Sequence, residues 1–81
     1  MIGTVQDLIA EALFVSDVQP SQCPSRDEVD AAATEAILRY GIEGCAARVA
    51  TEFGDHPDTA VARMSWVRRA LGNLNAVPTA A

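Results

Sequence analysis

Fifteen of the 81 residues are alanine and only four are aromatic, so any core this chain builds is thin. Alanine is the best helix former but contributes little burial, which favours helices packed at close range. At this length a single domain buries roughly 60–65% of the surface its unfolded chain exposes. Every large apolar side chain therefore counts, and dimerisation would be one way to add buried area.

The apolar residues recur at helical spacing. Val5, Leu8, Ile9, Ala12 and Leu13 form one stripe, with Thr4 as cap and Asp7 in the first turn. Ser16, Asp17 and Pro20 predict its end, and residues 16–24, with two prolines, read as a loop. Ser25 followed by Glu28 is a capping box. Behind it Val29, Ala32, Ala33, Ala36, Ile37 and Tyr40 predict a second buried stripe. Gly41 at C′, with Ile42 reaching back to Ile37, predicts a Schellman ending.

A third helix is expected from about Glu43 to Phe53, burying Cys45, Val49 and Phe53 and stopping at Gly54. Pro57 and Asp58 then suit the start of a fourth, with Ala60, Met64, Val67 and Leu71 inward and Gly72 as its stop. No repeat, low-complexity linker or strand pattern interrupts this series. The expectation is an all-α, compact four-helix domain over residues 1–72, with 73–81 as a flexible tail.

Charge is segregated along the chain. The net charge is −5, yet residues 1–38 carry seven acids and one base, whereas residues 39–72 carry five arginines and four acids. Lysine is absent. An acidic surface repels nucleic acid and anionic membranes, so binding to either needs a local basic patch. The N-terminus has Asp7 and Glu11 and no basic segment, which matches neither a signal peptide nor a membrane span. A cytoplasmic location with reduced thiols is expected.

Catalytic chemistry finds little support. His56 is the sole histidine, next to Pro57 at a helix start, and reads as structural. Cys23 and Cys45 lack zinc-site spacing; Cys45 is either a thiol activated by a helix N-terminus or a small buried residue. Pairing of the two remains open at this point. Asp27, Glu28, Asp30 and Glu35 are explained by capping and solvation. The expectation is a non-enzymatic protein with no catalytic residue, cofactor, metal or small-molecule substrate indicated.

What remains is the last helix, where Arg63, Arg68 and Arg69 surround the only tryptophan, Trp66. The stretch Leu38-Arg39-Tyr40, Val49-Ala50, Phe53-Gly54, Thr59, Arg63-Met64 and Arg68-Arg69-Ala70-Leu71 resembles the region-4 helix-turn-helix of bacterial sigma factors over residues 38–71. The resemblance implies that Asp58, Val61, Ala62, Arg63, Ser65, Trp66 and Arg69 face a DNA groove. Pro57, Asp55 and Asp58 would meet phosphates there, and Val61 and Ala62 replace polar readers. About three arginines imply a salt slope near −3. The phrase from Leu13 to Ser21, with Gly54-Asp55-His56-Pro57, also resembles short actinobacterial proteins of unassigned function, and implies no activity.

The competing reading makes the same face a protein-binding surface. Arg and Trp are favoured interface anchors, and an acidic partner or the acidic half of a second copy would be complementary. Arg63, Trp66, Arg68 and Arg69 are the expected macromolecule-binding residues, for a protein partner or self-association first and for DNA second. The plain alternative packs Trp66 inward against the first helix and Phe14.

Overall fold

The Cys45 thiol lies 3.6 Å from the Ala36 carbonyl, a pair that a straight helix would hold about 13 Å apart along its axis. The second half of the chain's longest helix therefore turns back beside the first. This geometry comes from a computed structural model, which describes the backbone of residues 5–75 and their side chains apart from Gln6 and residues 73–75. Helix α1 spans Val5–Val15, a single 3₁₀ turn spans Pro20–Gln22, α2 spans Arg26–Asp55 and α3 spans Pro57–Asn75. The described residues are helical or loop, with no strand.

Among the described residues three α-helices thus stand where the periodicity predicts four, and the difference lies at Gly41. Its φ of 74° and ψ of 165° break the helix within α2, leaving a proximal and a distal arm. Positive φ is expected there, but the left-handed ψ of a Schellman ending is not found. The chain bends and resumes helix at once, and Ile42 stays 49% exposed. This φ/ψ region is essentially reserved for glycine.

Two other expected stops are corrected. Gly54 lies inside α2, which ends at Asp55, and Gly72 lies inside α3, which continues to Asn75. An interior glycine costs a helix about 1 kcal/mol against alanine without terminating it. The real break is His56, at φ −139° and ψ 66°, because the ring of Pro57 disfavours helical geometry in the residue before it. Residues 73–75, expected to begin the flexible tail, belong to α3. Residues 76–81, like the Thr4 cap, lie outside the described residues.

The start of α2 is as the sequence reads. Ser25 N–H donates to Glu28 Oε1 at 2.7 Å, and Glu28 N–H donates to Ser25 Oγ at 3.2 Å. At the end of α1 the Ser16 hydroxyl donates to the Leu13 carbonyl at 2.6 Å, closing the helix into the loop. Cys23 follows the 3₁₀ turn in a left-handed conformation, φ 47° and ψ 59°, with its N–H on the Pro20 carbonyl at 3.0 Å.

One core cluster joins Ala10, Leu13 and Phe14 of α1, Val29 and Val49 from the two arms of α2, and Ala60, Val67 and Leu71 of α3. A second gathers Ala12, Ala33, Ala36 and Cys45, where small side chains let α1 nest against the bend. Leu13, Val29 and Val67 are sealed, each contributing about 2 kcal/mol of burial. The α1 stripe holds at Ala12 and Leu13, which are fully buried, and at Ile9, which packs on both clusters. It widens to Ala10 and Phe14, while Val5 at the helix start is 73% exposed. Phe53, expected inside, sits at the surface edge and stacks on Phe14 with ring centroids 6.0 Å apart.

Candidate interaction surface

The four expected binding residues all lie on α3, but the fold sends them in three directions. Arg63 reaches back to α1. Its Nε donates to the Phe14 carbonyl at 2.9 Å, and one terminal nitrogen donates to the carbonyls of Leu13 at 3.3 Å and Ser16 at 3.0 Å. Helix α1 has no basic residue in its own last turn, so a remote cation meets its orphan carbonyls and the negative end of its dipole. Burial pushes the Arg63 guanidinium down from its ordinary value. Much of this side chain is thus engaged inside the molecule.

Trp66 is half-buried and packs against the larger core cluster. The Arg63 guanidinium also lies 5.2 Å from the centroid of its ring. Another part of the indole lines a groove of about 330 Å³, together with Pro20, Cys23, Pro24, Val29 and Arg69. Both the inward and the outward expectation for this residue therefore describe part of it. Arg69 is exposed on the same groove, one helical turn beyond Trp66.

Arg68 is exposed on a separate shallow groove with Asp7, Ala10, Leu71 and Gly72. The structure therefore brings Trp66 and Arg69 together and leaves Arg68 on another flank. The loop wall of the Trp66 groove is a contribution the sequence reading missed. Its signal was present: prolines at 20 and 24 restrict the backbone, and Ser25 anchors the loop to α2.

Cys45 is 1% exposed; burial first, then Glu11, raises its thiol pKa, outweighing the lowering influence of Arg48. This is the opposite of activation by a helix N-terminus. Cys23 is exposed, and both thiols are free. His56 is exposed at the α2–α3 junction, where its N–H donates to the Glu52 carbonyl at 2.7 Å. Asp27, Glu28, Asp30 and Glu35 are all exposed. Among the described residues no three His, Cys, Asp or Glu side chains gather as a metal site, and no helix is long and apolar enough to cross a membrane.

Fold and surface together define a small all-helical protein with a Trp–Arg groove. Comparison of the chain with family models, curated proteins and solved structures gives no match.

Proposed function

We propose that the chain is a non-enzymatic interaction module that binds a protein segment in the groove holding Trp66 and Arg69. The observation that carries this reading is their shared groove, walled by Pro20, Pro24 and Val29. The indole and prolines offer apolar area to one side chain of the partner, and the exposed guanidinium offers a charged fork to a neighbouring carboxylate. A segment with an acid beside a large apolar residue suits this combination. A second copy is one source, because the chain's own first half is acidic.

Selection of short random peptides on the immobilised protein tests the proposal. Enrichment of Asp or Glu next to a large apolar residue is expected, with binding that shifts Trp66 emission and is lost in Arg69→Glu. No enrichment, or binding indifferent to Arg69→Glu, overturns it. Sedimentation of the free protein then decides whether a second copy is the partner.

The DNA reading has one observation in its favour: the distal arm of α2 and α3 meet at the single residue His56, a tight junction between consecutive helices. In that reading the two arms of α2 act as separate helices of a four-helix domain. The commitment of Arg63 to α1 leaves Arg68 and Arg69 for phosphates, with a salt slope near −2. Asp55 and Asp58 stay exposed beside the start of α3. A salt titration on random duplex, showing no binding at low salt, would remove it.

A further inference from the structure

A concavity of about 380 Å³ shares no residue with the Trp66–Arg69 groove. Its lining comes from three elements. Phe14 and Val15 lie at the end of α1, and Ala60 adds a further apolar surface. Arg48 and Glu52 stand four apart on the distal arm of α2, and Thr59 and Arg63 stand four apart on α3. Residues at that spacing share a helix face, so one arginine from each helix borders the same space.

Neither arginine has a carboxylate within ion-pair distance among the described residues, where the sole such pair is Arg39 with Glu35. The Arg48 guanidinium lies over the Tyr40 ring at 3.9 Å, held by a π face that leaves its charge unneutralised. Arg63 donates only to neutral carbonyls, through Nε and one terminal nitrogen. A guanidinium has five N–H donors, so the other terminal nitrogen keeps two. Thr51 uses its hydroxyl proton on the Ala47 carbonyl at 3.0 Å, which leaves its oxygen as an acceptor. Two arginines against Glu52 leave the lining at +1.

We propose that this concavity is a binding site for a small carboxylic acid with an apolar body, such as an arylalkanoate. The carboxylate meets Arg48 and the free edge of Arg63, and the hydrocarbon lies against Phe14, Val15 and Ala60. The volume falls in the range of small-ligand pockets. A net charge of +1 matches a monoanion, and Glu52 disfavours a phosphate dianion. The proposal is independent of the peptide-binding reading.

The test is titration of the full chain with 3-phenylpropionate, followed by Trp66 emission and by amide chemical shifts. Arg63 lies against both the concavity and the indole, so Trp66 reports on its occupancy. Saturable one-to-one binding is expected, with shifts at Phe14, Arg48, Thr59 and Arg63. The neutral 3-phenylpropanamide should bind at least about tenfold more weakly, as should 3-phenylpropionate to Arg48→Gln, the loss of one charge-assisted contact. Arg48 is exposed, so this variant should keep its helical circular dichroism. No saturation by about 10 mM, equal binding of the amide, equal binding of inorganic phosphate or an unchanged affinity in Arg48→Gln each overturns the assignment.

Discussion

The Nε of Arg63 donates to the carbonyl oxygen of Phe14 at 2.9 Å, joining residues forty-nine positions apart. The same guanidinium reaches Leu13 and Ser16, so one side chain of α3 closes the C-terminal end of α1.

Arg63→Ala should therefore destabilise the fold even though the residue is only half-buried. Losing charged donors to three carbonyls should cost about 2 kcal/mol, or roughly 10 °C in Tm. Arg63→Lys should recover part of this, since an ammonium has the charge without the fork. Urea denaturation of both variants checks the order, and an unchanged midpoint in Arg63→Ala would show the three bonds to be incidental.

Gly41→Ala should cost about 2 kcal/mol by forcing a non-glycine residue into φ 74°, ψ 165°. An added Cβ meets nothing within 4 Å, so the penalty is conformational and not steric. Thermal melting measures it. Wild-type stability would mean that the bend relaxes into another geometry.

Cys23→Gly should act in the opposite direction. The left-handed backbone of Cys23 strains any L residue, while glycine returns part of its gain by loosening the unfolded chain. A net stabilisation of about 0.5 kcal/mol is expected, with Cys23→Ala giving none. Equal melting of the two variants would show that no strain is stored there.

The two thiols should separate in reactivity and in pH dependence. Cys23 is exposed and should react with a thiol reagent in the native state, and Cys45 only on unfolding. Burial raises the folded pKa of Cys45, so the native state holds its proton more tightly than the unfolded state. That contribution is complete below the unfolded value of about 8.5 and is lost as pH rises through the folded value. Wild-type urea midpoints should fall as pH rises above about 8.5, more steeply than those of Cys45→Ala. Parallel profiles would contradict this.

Legibility followed the range of the interaction. The Ser25–Glu28 box joins groups three residues apart, and its bonds form at 2.7 and 3.2 Å as the pattern predicts. The inward positions Val29, Ala33, Ala36, Ala60, Val67 and Leu71 follow from periodicity, which reads one helix at a time. Positive φ at Gly41 and the helix start at Pro57 are likewise properties of single residues. The separation of the expected binding residues was not legible. Helical spacing places Arg63, Trp66 and Arg69 along one side, but does not show which neighbours stand around that side.

By itself the sequence determined an all-helical chain, its cap at Ser25, its weak point at Gly41 and most of its buried stripes. These depend on backbone preference and on contacts within about one helical turn. The tertiary structure alone decided that Gly41 would turn the distal arm back and bring the Cys45 thiol to Ala36. It also directed Arg63 to carbonyls forty-seven to fifty residues away and left Trp66 and Arg69 in a groove with the proline loop. The physical reason is that α1 ends without a local cation, and a guanidinium long enough to reach its carbonyls becomes available only once α3 has packed beside it.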